Sequence, residues 1–344
     1  MSQSSPSMRH FFKSGKGKYW LYAALGCPFA HRSLIARSIK NLNDYIGVSI
    51  THWYLGKNGW RFLEANEEKM GDNAYRYDGG IRSTEDDTST RIGDIPDHSN
   101  RLFVDGSFDP NYKAKSMKDL YLRSDPNYSG KFSVPILWDL TASKIVNNDS
   151  GEIIRCLNSI GNEIHKDKKT IDLAPSKLIP ELDTFNSWLQ ENINMGVYKI
   201  GLATKQSEFE SNLATLYRKL NECEDHLKGV YKDIEKEVGK NNKVEILKKF
   251  YLFGNQITDT DIRFYTTAIR FDSSHAQHLK CNWRIIRDDY PYIHLWLRNL
   301  YWNHKAFRLT TNFNHIKLFY SRSQKKINPS GITPLGPEFD ILKL

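Results

Sequence analysis

The chain has 344 residues, which at about 150 residues per domain points to two domains. Hydrophobic residues at 39% and charged ones at 26% belong to a folded globular protein. A mean hydropathy of −0.59, with no run near the roughly 18 apolar residues of a spanning helix, speaks against a membrane protein. Lys and Arg outnumber Asp and Glu by 49 to 40. The charges are interleaved and no recognition motif accompanies them, so the balance fits small anions or simple solubility better than nucleic acid.

The first ten residues lack an apolar segment after Arg9, so no secretory signal is expected there. Residues 19–23, Tyr-Trp-Leu-Tyr-Ala, read as a buried strand. Gly26-Cys-Pro28 follows, and Ala30, Leu34, Ile35 and Ile39 then recur at helical spacing through Leu42, with Pro28 suited to the first helical position. Residues 47–53 read as a second strand, completing the β-α-β opening of an α/β domain. From about 55 to 115 the chain is rich in Gly, Asp, Ser, Thr and Asn, which predicts a long irregular insertion. Strands are expected again at 132–139 and 144–146, then a helix capped by Ser150 and carrying Ile153, Ile154 and Leu157. A polar link spans about 161–176. Beyond it the pattern is helical, at 181–194, at 207–227, from Thr258 and at 291–301, with Thr258 and Asp261 spaced as a capping box. The tail from 326 to 344, with Pro329, Pro334 and Pro337, is expected to be extended.

The four cysteines are widely separated and show no ligand spacing, so no metal is expected and a reducing compartment is. Cys27 is placed where a turn enters a helix. Amide N–H groups and the helix dipole there favour thiolate and lower a thiol's pKa. Ala30 stands where a second thiol of a CxxC pair would be, so a mixed disulfide at Cys27 needs an external thiol to resolve it. A buried small hydrophobe is the competing account of Cys27, and it is the default for Cys156, Cys223 and Cys281. Val134-Pro135 is compatible with an edge-strand start or with a cis turn that leaves the Val134 backbone open to an extended peptide. Asp149-Ser150 can hold a carboxylate at a helix N-terminus or can simply cap it.

Taken together, these residues resemble the glutathione transferase superfamily, and within it the omega-like, xi-class branch of glutathionyl-hydroquinone reductases in its fungal form. The motifs that carry the resemblance include Gly26-Cys-Pro-Phe-Ala-His-Arg32, Asn58-Gly-Trp60, Ser133-Val-Pro-Ile-Leu-Trp-Asp139 and Ile145-Val-Asn-Asn-Asp-Ser150. Gly196-Val-Tyr-Lys199, Arg270-Phe-Asp272, Asn314-His-Ile-Lys317 and Ile327-Asn-Pro-Ser-Gly-Ile332 continue the series. The resemblance implies a thioredoxin-like glutathione-binding domain at 1–172, an all-helical substrate domain at 173–325 and the tail at 326–344. It also implies a homodimer in the cytoplasm, acting on glutathione and a small electrophilic or glutathionylated substrate, without nucleic acid, membrane or metal. The ending Leu342-Lys-Leu344 raises the peroxisome as an alternative location.

By the same resemblance Cys27 is the nucleophile, and Trp60, Arg123, Lys131, Val134, Asp149 and Ser150 bind glutathione. Trp60 has a second reading as an anchor for the long loop. Three tyrosines form the family's hydroquinone pocket; Tyr198 and Tyr320 match two of them, and His275 stands at the third position. Phe29 replaces the branch's usual Trp. His275 is expected either to take the phenol's part, with a pH dependence near 6.5, or to be a surface residue at a helix end. Two alternatives accompany the reductase: a general omega-type thioltransferase or dehydroascorbate reductase, and a non-catalytic interaction protein on the same scaffold.

Overall fold

The computed structural model describes residues 17–63, 106–167 and 170–344, so most of the expected insertion lies outside the described residues. The described part of the first half comprises β1 (Tyr19–Ala23), α1 (Pro28–Ile39), β2 (Ile46–Ile50), β3 (Leu55–Gly56), β4 (Gly59–Trp60), α2 (Met117–Ser124), β5 (Ile136–Asp139), β6 (Lys144–Asn147) and α3 (Ser150–Ile164). β1 is central. It pairs in parallel with β2, Tyr19 opposite Ile46, and antiparallel with β5, Tyr22 opposite Ile136; β6 closes the sheet in the order β2-β1-β5-β6. The short β3-β4 hairpin and α2 fall in and just after the stretch read as irregular. α2 escaped the sequence reading because its helix is short, although Ser116 and Asp119 form a capping box at its start.

The second half is helical: α4 (Ile179–Leu189), α5 (Gly196–Gly201), α6 (Gln206–Val238), α7 (Lys243–Lys249), α8 (Asp259–Ala268), α9 (Ala276–His278), α10 (Ile286–Asp289), α11 (Pro291–Asn303), α12 (Lys305–Thr310) and α13 (Phe313–Leu318). This is the expected fold class, a thioredoxin-like sheet domain followed by an all-helical one. Three wide π-helical turns interrupt it, at Gln190–Asn194, Phe271–His275 and Phe319–Ser323. α8 starts on the predicted capping box, with the Asp261 carboxylate accepting from the Thr258 N–H at 2.9 Å and also from the Trp296 indole at 3.0 Å.

Three boundaries differ from the sequence reading. The N-cap of α3 is Asp149, whose carboxylate accepts from the Gly151 and Glu152 amides, and Ser150 is the first helical residue. Both residue types cap well; the backbone enters the helix one residue earlier than Ser150 as cap requires. α3 also runs through Gly161 to Ile164, into the stretch read as a polar link. α6 is a 33-residue helix, because its polar outer face continues well past the apolar steps that end at Leu227. The tail has no regular element from 324 onward, yet it is tied down: Trp302 donates to the Leu342 carbonyl at 2.9 Å, and Lys317 pairs with the buried Asp340 at 2.8 Å.

Candidate active site

β1 ends at Ala23, and four residues later Cys27 is the N-cap of α1, in extended conformation with Pro28 behind it. This tight delivery needs Gly26. A Cβ there would lie 2.7 Å from the Phe319 Cβ and 3.0 Å from the His315 carbonyl, so the helical domain presses directly on the turn. The Cys27 sulfur is 4.0 Å from the Val134 carbonyl oxygen. The Val134–Pro135 bond is cis, and among the described residues the Val134 N–H makes no backbone hydrogen bond.

Beside Val134 opens a cavity of about 290 Å³ over the N-terminus of α3. Phe29, Arg32, Val134, Asp149, Ser150 and Arg263 are among the residues around it. Arg32 donates to the Ser150 hydroxyl at 3.3 Å and to the Gln190 side-chain oxygen at 3.1 Å. Gln190 itself sits in the first π-helical turn. Arg263 reaches in from α8, held by Asp259 at 3.4 Å, and lies so close over Gly151 that a Cβ there would run into the guanidinium. Burial, with the like charge of Arg263 next in weight, pulls the Arg32 guanidinium down to about 9 against the favourable pull of Asp149. Two guanidiniums and the N-terminus of α3, capped by the exposed Asp149 carboxylate, thus line one cavity. The arrangement suits a ligand end that carries both an anion and a cation.

On the other side of Cys27 lies an aromatic wall. Tyr198 stacks on Phe29 with ring centroids 6.4 Å apart, and its hydroxyl meets that of Tyr320 at 2.6 Å. Tyr320 in turn meets the His275 Nε2 at 3.1 Å. Tyr320 and His275 are wholly buried, each on a π-helical turn, and Tyr198 is half-buried. Wide turns of this kind re-aim side chains and recur at functional sites. Burial drives both phenol pKa values up and holds the His275 imidazole well below its ordinary value, with Arg270 adding to the effect on His275. Two parts of the sequence expectations for His275 are thereby corrected: it is no surface residue, and burial holds its imidazole neutral where a titration near 6.5 was expected.

Cys27 needs a correction too. The amides of Phe29 and Ala30, together with Arg270 and Arg32, favour the thiolate as the turn geometry predicts. Burial outweighs them and leaves the thiol above its ordinary value. Burial also pushes the Cys156 thiol up to about 12 and raises Cys223 and Cys281, as fits their structural role.

The remaining expected ligands are not gathered at the cavity. Trp60 is buried against Phe319, rings stacked at 4.9 Å, and so fits the anchor reading. Arg123 is exposed and lies over the Tyr112 ring at 4.4 Å. Lys131 is exposed, its carbonyl accepting from Tyr128. Arg32, Gln190 and Arg263 were missed as site residues. Arg32 had a signal, one turn beyond Cys27 on the same helix. Gln190 and Arg263 had none, since they reach the cavity only by domain packing.

Family models place the same two halves. The glutathione S-transferase N-terminal domain matches residues 26–160, and the glutathione S-transferase C-terminal domain matches residues 206–299. The chain is 47% identical to glutathione S-transferase omega-like 2 of Saccharomyces cerevisiae, over 97% of this chain and 92% of that protein. It is 33% identical to the glutathionyl-hydroquinone reductase PcpF of Sphingobium chlorophenolicum, over 95% and 85%. The structure superposes on that of the Xi glutathione transferase ECM4 from Saccharomyces cerevisiae in complex with glutathione, with a TM-score of 0.88, 44% identity, and coverage of 100% and 98%.

Proposed function

Because the chain belongs to the glutathione transferases, in their omega-like Xi class, we propose that it is a glutathione-dependent reductase working through a single cysteine, Cys27. Its substrates are glutathionyl-hydroquinones and glutathione mixed disulfides. One observation carries the reading: the Cys27 sulfur is 4.0 Å from the carbonyl of Val134, which lines the charged cavity at α3, and Phe29, two residues on, lines that cavity and stacks on Tyr198 of the Tyr198–Tyr320–His275 chain. The cavity suits glutathione. Asp149 would meet the γ-glutamyl ammonium, Arg32, Arg263 and the hydroxyl and N–H of Ser150 its carboxylate, and the open Val134 backbone the cysteinyl unit.

In the reaction, deprotonated Cys27 attacks the sulfur of the glutathionylated substrate. A Cys27–glutathione disulfide forms, and the substrate leaves with the electron pair of the broken bond. From a mixed disulfide it leaves as a thiolate. From a glutathionyl-hydroquinone the bond broken is C–S, and the ring carbon must take a proton. Tyr198, the half-buried end of the phenol chain, would orient the ring oxygens and pass that proton, with Tyr320 and neutral His275 behind it. A second glutathione thiolate then attacks the Cys27 disulfide, releasing glutathione disulfide and regenerating Cys27.

A general thioltransferase or dehydroascorbate reductase is the second reading, favoured by the imidazole at His275. Rates with a glutathionyl-hydroquinone, hydroxyethyl disulfide and dehydroascorbate on one preparation test both. Turnover of the hydroquinone conjugate supports the first, and its failure beside brisk disulfide exchange selects the second. A homodimer in the cytoplasm completes the proposal.

A further inference from the structure

Arg270 follows the last turn of α8 and is wholly buried. Its guanidinium donates to the Leu25 carbonyl at 2.8 Å, the Gly26 carbonyl at 3.2 Å and the Thr266 carbonyl at 2.8 Å. The remaining contact is the His31 Nδ1 at 3.1 Å. Among the described residues every hydrogen-bond partner of Arg270 is neutral, and no carboxylate is among them. His31 can only be an acceptor there. Its Nε2 is 2.9 Å from the Thr310 hydroxyl, whose proton goes to the Ala306 carbonyl at 2.7 Å, so Nε2 must donate and Nδ1 carries the lone pair. Burial and Arg270 together hold the His31 imidazole well below its ordinary value, so it adds no charge of its own. Two of the three carbonyls that Arg270 holds, those of Leu25 and Gly26, belong to the residues immediately before Cys27. A buried cation without a counterion is expensive to keep, and a neutral donor would satisfy those carbonyls without that cost. What the charge complements is an anion made during the reaction.

We propose that Arg270 is a positioning residue that clamps the Leu25–Gly26 turn and whose unpaired charge stabilises the Cys27 thiolate from behind. The proposal rests on the reading of Cys27 as the reactive thiol. The groups facing Cys27 are Arg32 from its own helix, Arg270 from the end of α8, and the phenols of Tyr198 and Tyr320. Of the two cations, Arg32 feels the favourable pull of the Asp149 carboxylate, whereas among the described residues no carboxylate offsets Arg270, which leaves Arg270 as the source of uncompensated field.

The test neutralises that field without removing the clamp. In His31→Asp a carboxylate oxygen takes the place of Nδ1 and pairs with Arg270, whereas His31→Asn offers a neutral oxygen at the same place. Both lose the Thr310 contact equally. Cys27 carbamidomethylation by iodoacetamide, followed by mass spectrometry of the Cys27 peptide across pH 6 to 10, reads the thiolate directly. The Asp variant should react about tenfold more slowly than the Asn variant at pH 7, with its profile displaced about one pH unit to the alkaline side. Coincident profiles in the two folded variants overturn the proposal. Should either variant fail to fold, Arg270→Lys against Arg270→Gln reads the same field, the Lys variant reacting faster at pH 7. Loss of fold in all four makes Arg270 a structural clamp only and also overturns it. Because the readout is alkylation and not turnover, it is independent of the proposed reaction. That reaction fails separately, if Cys27→Ser retains glutathione-dependent reduction.

Discussion

The two sides of Cys27 are built from opposite materials. Toward α3 the surroundings are polar and partly open: Asp149 is exposed, and Arg32 and Arg263 converge on a helix N-terminus across a cavity of about 290 Å³. Toward the helical domain they are aromatic and closed, with Tyr320 and His275 wholly buried and only Tyr198 reaching outward. The polar side can bind a zwitterion and hold it, since its charges are fixed by packing. The aromatic side can orient a phenolic ring and move a proton, since every group in it is neutral. Sulfur chemistry requires only the first, whereas release of a ring carbon requires both.

Cys27→Ser should have the largest effect, because the sulfur is common to both sides. Less than a few per cent, roughly, of every glutathione-dependent reduction should survive, with unchanged circular dichroism, since a hydroxyl does not form the mixed disulfide. Retained disulfide exchange would break the comparison at its centre. Arg32→Met comes next. It should raise KM for glutathione about ten- to a hundredfold for all substrates alike, the worth of one or two charged hydrogen bonds, and steady-state kinetics with two substrates would read it. An effect limited to hydroquinone conjugates would move Arg32 to the other side.

His275→Tyr sharpens the contrast. It should raise kcat/KM for glutathionyl-hydroquinones by about tenfold while disulfide exchange hardly changes, as expected for one general-acid contact in the phenol chain. Since the buried imidazole is held neutral, the native pH profile should show no inflection near 6.5 from this residue. Equal changes in both reactions would mean that His275 acts through packing alone. The same substitution carries a smaller effect on stability. A histidine whose folded pKa lies below its unfolded value of about 6.5 contributes fully above that pH, and loses about 1.4 kcal/mol per unit as pH falls below it, because only the unfolded chain takes up the proton. Urea unfolding at pH 7, 6 and 5 should therefore show His275→Tyr losing less stability on acidification than the native protein, by about that slope. Parallel losses would contradict the buried neutral imidazole.

Much of this was legible from local pattern. The strand at 19–23, Pro28 opening α1 directly after Cys27, and the Thr258–Asp261 box follow from neighbours in sequence, so the residues alone determine them. The proposed glutathione half was recognisable as motifs for the same reason: Val134 sits just before the start of β5, and Asp149 and Ser150 open α3, where local form depends on adjacent residues. Trp60, Arg123 and Lys131 show the limit, since their chemistry suits a ligand but only the fold decides where they point. Tertiary structure alone decided the sign at Cys27, where the helix N-terminus is a local property and burial, which outweighs it, is not. It likewise brought Arg263, from within α8, to α3 and Arg270, just past the end of α8, to the start of α1, and put His275 in a closed wall through a π-helical turn that no spacing announces. Desolvation and the meeting of distant side chains depend on what the second domain covers, and that is set only when the two domains pack.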